Sequence, residues 1–84
     1  MSQLEKLKAD YKRCQSTFSY RDFERLLGGL GYALVKAGKT GGSRRKFMNQ
    51  ATKDLIFLDE PHDGEMTRSM VRRLREHLEG RGLL

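Results

Sequence analysis

Leu30-Gly31-Tyr32-Ala33-Leu34-Val35-Lys36 is where the hydrophobic period of this 84-residue chain changes, and the change decides the fold class. Upstream of it, Phe23, Leu26, Leu27 and Leu30 recur at helical spacing and fall on one stripe. Downstream, Tyr32 to Lys36 reads as a short strand, Ser43 to Asn49 as a second and Lys53 to Asp59 as a third. In the third, Leu55 and Phe57, together with Ile56 and Leu58, give a largely buried character, and Asn49 to Thr52 supplies the turn before it. A helix followed by a run of strands predicts an α+β domain rather than a parallel α/β sheet.

Working outward, Leu4, Leu7, Tyr11 and Cys14 form the apolar stripe of a helix over residues 3 to 15, with Lys, Arg, Glu and Asp on its other faces. Ser16 to Ser19 break that pattern. Ser19 is placed to cap a second helix over 20 to 30, with Phe18 and Phe23 positioned as a hydrophobic staple and Gly31 as the stop. Gly28 and Gly29 weaken its last turn by about 1 kcal/mol each relative to alanine, unless close packing requires them. Toward the C-terminus, Pro61, Asp63 and Gly64 mark a loop, and Thr67 caps a helix over 68 to 79 with Met70, Val71, Leu74 and Leu78 as its buried stripe. The predicted order is ααβββα, three antiparallel strands covered on one face by helices.

Eighty-four residues form one small domain. The N-terminus is charged rather than apolar, no run approaches a membrane span, and the single Cys14 excludes an internal disulfide or a cysteine zinc cluster. A cytoplasmic home, no membrane partner and no cofactor are the expectations. The net charge of +6 is unevenly distributed. Residues 1 to 31 carry +2, residues 32 to 50 carry +5 without an acid, residues 51 to 65 carry −4, and residues 66 to 84 carry +3. One-sided positive potential with a sequence pI of about 9.8 points to a polyanion, bound in a salt-dependent manner.

The densest basic stretch is Gly38-Lys39-Thr40-Gly41-Gly42-Ser43-Arg44-Arg45-Lys46-Phe47. Glycines allow backbone N–H groups to approach a ligand, and adjacent Lys and Arg suit phosphate oxygens. Lys39, Gly42, Ser43, Arg45 and Lys46 are therefore the candidate ligands for a nucleic-acid backbone; a solvated, solubilising turn is the plainer alternative. Gly38-Lys39-Thr40 imitates the end of a P-loop, but the glycine required five positions earlier is Ala33. On the last helix His77 reads as a boundary residue beside Met70, Leu74 and Arg81. Arg68, Arg72 and Arg75 share the opposite face, and Arg75 with Glu79 is spaced for an ion pair.

Phe23-Glu24-Arg25-Leu26-Leu27, Leu30-Gly31-Tyr32, Gly42-Ser43-Arg44, Pro61-His62 and the closing helix that runs to Gly82-Leu83-Leu84 together resemble the HicA family of bacterial toxins. The resemblance covers residues 20 to 84, with 1 to 19 as a helical extension and linker; the whole reads as one globular unit. It implies a fold similar to a double-stranded RNA-binding domain, cleavage of mRNA as an endoribonuclease, and neutralisation by a HicB-like antitoxin. It also singles out a position: where typical members carry a histidine after the Gly-Ser pair, this chain has Arg44. Metal-independent RNA cleavage needs a base for the 2′-hydroxyl, an acid for the leaving oxygen and cations on the phosphate. Arginine is never deprotonated in a protein, so Arg44 can only bind or stabilise the phosphate.

His62 is the candidate proton carrier, and its neighbours Asp59, Glu60, Asp63 and Glu65 suit a general acid better than a base. Lys39 or Lys46 as a base, a divalent cation held by Asp59, Glu60, His62 and Asp63, and a plain surface histidine are the alternatives. Two functions follow: an RNA-cleaving toxin with Arg44 and His62 at its centre, or a non-catalytic RNA- or protein-binding module of the same fold.

Overall fold

A computed structural model gives the fold and describes residues 3–35 and 44–84. The helix caps follow their sequence signals. Ser19 is extended (φ −64°, ψ 126°) and its hydroxyl accepts the Asp22 N–H at 3.4 Å, opening α2 (Tyr20–Gly29). Gly31 ends it at φ +102°, a conformation that side chains resist, and a Cβ there would also lie 3.3 Å from the Asn49 amide nitrogen. Thr67 caps α3 (Arg68–Gly80) through the Met70 N–H at 3.3 Å. The first helix, α1 (Gln3–Arg13), stops two residues before the end its apolar stripe predicts. The Cys14 carbonyl is taken instead by Arg75 Nη1 at 2.5 Å, which ties the end of α1 to α3.

Strands β2 (Tyr32–Val35), β3 (Arg44–Asn49) and β4 (Leu55–Asp59) form an antiparallel meander in the order β2-β3-β4. Two further strands, β1 (Phe18–Ser19) and β5 (Glu65–Met66), make a separate antiparallel ribbon with Phe18 opposite Met66. The three helices and three longer strands keep the expected order ααβββα; the ribbon strands are additions to it. The β3–β4 turn is organised by the buried Asn49. Its Oδ1 accepts the N–H groups of Ala51 and Thr52 at 2.9 and 3.1 Å, and its Nδ2 donates to the Leu30 carbonyl at 3.2 Å. Lys53, at φ 63°, belongs to this turn, so β4 starts at Leu55 rather than at Lys53.

Strand register places Tyr32, Phe47, Ile56 and Leu58 on one face, where they pack with Phe23, Leu26 and Leu27 of α2 and Val71, Leu74 and Leu78 of α3. Helix α1 packs on α2 and α3. Its Tyr11 is fully buried, stands edge-on to Phe18 at 4.9 Å and donates its hydroxyl to the Val71 carbonyl at 2.9 Å. Gly29 permits the α1–α2 approach, because a Cβ there would fall 2.5 Å from Leu4 Cδ1. Residues 3 to 19 are thus built into the same core as the rest.

The expectation of a largely buried β4 is corrected. Ile56 and Leu58 are buried, but Leu55 and Phe57 are 40% and 50% exposed. Helices cover only one face of the sheet, so burial follows the two-residue pleat even through a continuous apolar run. The second face, with Phe57 near its middle, is open among the described residues.

Candidate nucleic-acid interface

The pleat also divides the predicted phosphate ligands. Arg45 lies opposite Leu58 and turns to the helix side, whereas Arg44 and Lys46 lie opposite Asp59 and Phe57 on the open face. Arg45 is a tether: its Nε and Nη2 each lie 3.0 Å from Glu60 Oε1, and Nη1 donates to the Arg44 carbonyl at 3.1 Å. Arg44 is held far less firmly. Its side chain is 82% exposed and its Nε lies 3.9 Å from Asp59 Oδ1, a solvated pair that a phosphate can displace. Lys39, Gly42 and Ser43 lie outside the described residues.

His62 sits exposed in the loop between β4 and β5, lining a shallow depression with Asp59, Glu60, Asp63 and Glu65. The loop turns through Gly64 N–H to the Pro61 carbonyl at 3.2 Å, and the Asp63 carboxylate accepts the Glu65 N–H at 3.0 Å. Arg44 pairs across the sheet with Asp59, so Arg44 and His62 belong to the same end of the molecule. Among the described residues no three His, Cys, Asp or Glu side chains converge on a point that could hold a metal ion. The cation site considered for Asp59, Glu60, His62 and Asp63 is not assembled. Neither family models, curated proteins nor solved structures match this chain. Function must therefore be argued from the geometry.

Two residues not singled out from the sequence lie near this surface. Arg73 reaches from α3 to the outer edge of β4, donating to the Phe57 carbonyl at 3.4 Å, and lines a depression with Arg44, Phe57, Leu58 and Asp59. Tyr20, 6% exposed, has a hydroxyl without a hydrogen-bond partner among the described residues. Burial, reinforced by Glu24 and Glu60, pushes its pKa up to about 12, so it remains a neutral phenol at physiological pH. The signal for Arg73 is weak but present: Arg73, His77 and Arg81 recur every four residues as a ridge of α3 facing β4.

At the far end of the sheet, Asp54 accepts from Tyr32 Oη at 2.5 Å, contacts His77 Nε2 at 2.7 Å and accepts from Arg81 Nε at 2.9 Å. Burial alone would raise the Asp54 pKa, but the Tyr32, His77 and Arg81 hydrogen bonds outweigh it and hold the carboxyl well below the usual range. An ionised carboxylate only accepts, so His77 Nε2 carries its proton in this pair. His77 is therefore a boundary residue with a specific partner. It sits by the β3–β4 turn, at the opposite end of β4 from the Arg44–Asp59 pair.

Arg68, Arg72 and Arg75 line a groove with Cys14, Gln15, Ser16, Ser69 and Val71. The expected Arg75–Glu79 pair is not what the described residues show: Arg75 donates to the Cys14 carbonyl at 2.5 Å, and the pair on this face is Arg72–Glu76 at 3.6 Å. No described helix is long and apolar enough to cross a membrane.

Proposed function

We propose that this chain is an RNA-targeting toxin of the HicA type, with a fold of the double-stranded RNA-binding-domain kind, that binds mRNA and cleaves it near Arg44 and His62. The observation that carries the proposal is the exposed Arg44, weakly paired with Asp59 and placed at the same end of the sheet as His62. Arg44 would stabilise the charge that grows on the attacked phosphate. His62 would give a proton to the leaving 5′-oxygen, solvent water or a neutral Lys46 or Lys39 would take the 2′-hydroxyl proton as that oxygen attacks phosphorus, and the Gly42 and Ser43 segment would hold neighbouring phosphates. A HicB-like antitoxin is the expected protein partner, and the exposed basic surface is what an acidic partner would cover.

The second reading, a non-catalytic module of the same fold, is favoured by one specific observation. His62 shares its depression with Asp59, Glu60, Asp63 and Glu65, four carboxylates that repel RNA phosphates. End-labelled mRNA incubated with the purified protein, with and without EDTA, separates the two. The toxin reading predicts cleavage that survives EDTA and falls at least about 100-fold in His62→Ala or Arg44→Ala. Intact RNA that is retarded in a salt-dependent way would leave only the binding module.

A further inference from the structure

The open face of the sheet has the composition of a base-stacking platform. Strand register arranges it in rows: Ala33, Met48 and Leu55; then Val35, Lys46 and Phe57; then Arg44 and Asp59. Phe57 is half exposed although it lies in the middle of its strand. Lys46 is directly opposite it, and Arg44 and Arg73 line the depression beside it. Asp59, the acid on these rows, is paired with Arg44. A large aromatic ring left half in water in the middle of an edge strand, with three cations beside it, gives up apolar burial that a ligand could restore.

We propose that Phe57 stacks an unpaired base of single-stranded RNA while Lys46, Arg44 and Arg73 bind the phosphates on either side of it. This rests on the RNA-targeting reading above and adds the strandedness of the substrate and the residue that senses it. The aromatic face offers apolar area that every base can use, and cross-strand neighbours lie about 5 Å apart, so an ammonium reaches a phosphate next to the stacked nucleotide. A continuous duplex cannot use this surface, since its bases are already stacked inside and it is read by backbone and 2′-hydroxyl contacts. A second copy of the chain is a poor occupant. Each copy carries +6, and among the described residues the apolar part of the face comprises Met48, Leu55, Phe57 and the small edge residues Ala33 and Val35.

The sequence has no tryptophan, so Phe57→Trp introduces a single reporter at the proposed contact. The full chain, Phe57→Ala, Phe57→Tyr and Phe57→Trp are titrated with a labelled uridine homopolymer and with a blunt RNA duplex of equal length. Circular dichroism checks that each variant is folded. The expected result is tighter binding of the single strand by the full chain, roughly tenfold weaker binding by Phe57→Ala, retention by Phe57→Tyr, and quenching of the Phe57→Trp emission by the homopolymer. Equal affinity of Phe57→Ala and the full chain without quenching, or preference for the duplex, overturns the platform and leaves the RNA reading standing. No binding of either RNA at low salt overturns both.

Discussion

Asp54 is fixed by three side chains, Tyr32 from β2 and His77 and Arg81 from α3, and joins the end of the sheet to the last helix. Its side chain is 10% exposed, although Arg81 meets it from a half-exposed position. Removing the charge strands the Arg81 guanidinium and weakens both other bonds. Asp54→Asn is expected to cost about 2 to 3 kcal/mol at neutral pH. The pH dependence has a definite sign. A carboxyl whose folded pKa is depressed contributes fully above its unfolded pKa, about 4, and loses that contribution as pH falls toward the folded value. Urea midpoints for the two proteins should therefore differ at pH 7 and converge below about pH 4. A gap of equal size at pH 7 and pH 3 would show that the carboxylate charge is not what holds the cluster.

Helix α2 contains two adjacent glycines with different reasons to be there. Nothing lies within 4 Å of a Cβ built on Gly28, whereas one on Gly29 meets Leu4 of α1. Gly28→Ala should raise stability by up to about 1 kcal/mol, and Gly29→Ala should gain nothing until Leu4→Ala clears the space. Thermal melts of the four variants test this; a gain for Gly29→Ala in the native background would show that the α1–α2 approach yields easily. The glycine pair illustrates what could be read in advance. Local signals marked the elements: Ser19 and Thr67 as caps, Gly31 as a stop, and the period change at Tyr32. The β1–β5 ribbon was illegible because two residues have no period. The apolar run Leu55 to Leu58 misled because four consecutive apolar residues fit either one-sided or two-sided burial. In the candidate site, Arg44 stood out from its place after Gly42-Ser43, but its exposed position opposite Asp59 did not. Nor did Asp54, because its partners lie 22, 23 and 27 residues away. Arg75–Glu79 has the right spacing for a pair, but spacing could not show that the distant Cys14 carbonyl takes the Arg75 guanidinium.

For the whole molecule, two clusters of cations among the described residues lie on opposite sides of the sheet. On the open side are Arg44, Lys46 and the edge residue Arg73. On the helix side are Arg68, Arg72 and Arg75, of which Arg72 is paired with Glu76 and Arg75 is bonded to Cys14. Each side has one long, solvated pair, Arg44–Asp59 or Arg72–Glu76, but on the helix side a phosphate must also compete with the short Arg75–Cys14 bond, whereas on the open side the second contact is the longer 3.4 Å bond from Arg73 to the Phe57 carbonyl. The open side should therefore provide most of the counterion release. With a slope of about 0.7 per phosphate contacted on a single strand, replacing Arg44, Lys46 and Arg73 by glutamine should flatten the plot of log affinity against log salt by about 2. Replacing Arg68 and Arg72 should change that slope by less than about 0.5. The opposite ranking would move the RNA track to the α1–α3 groove and leave the open sheet face without a part in binding.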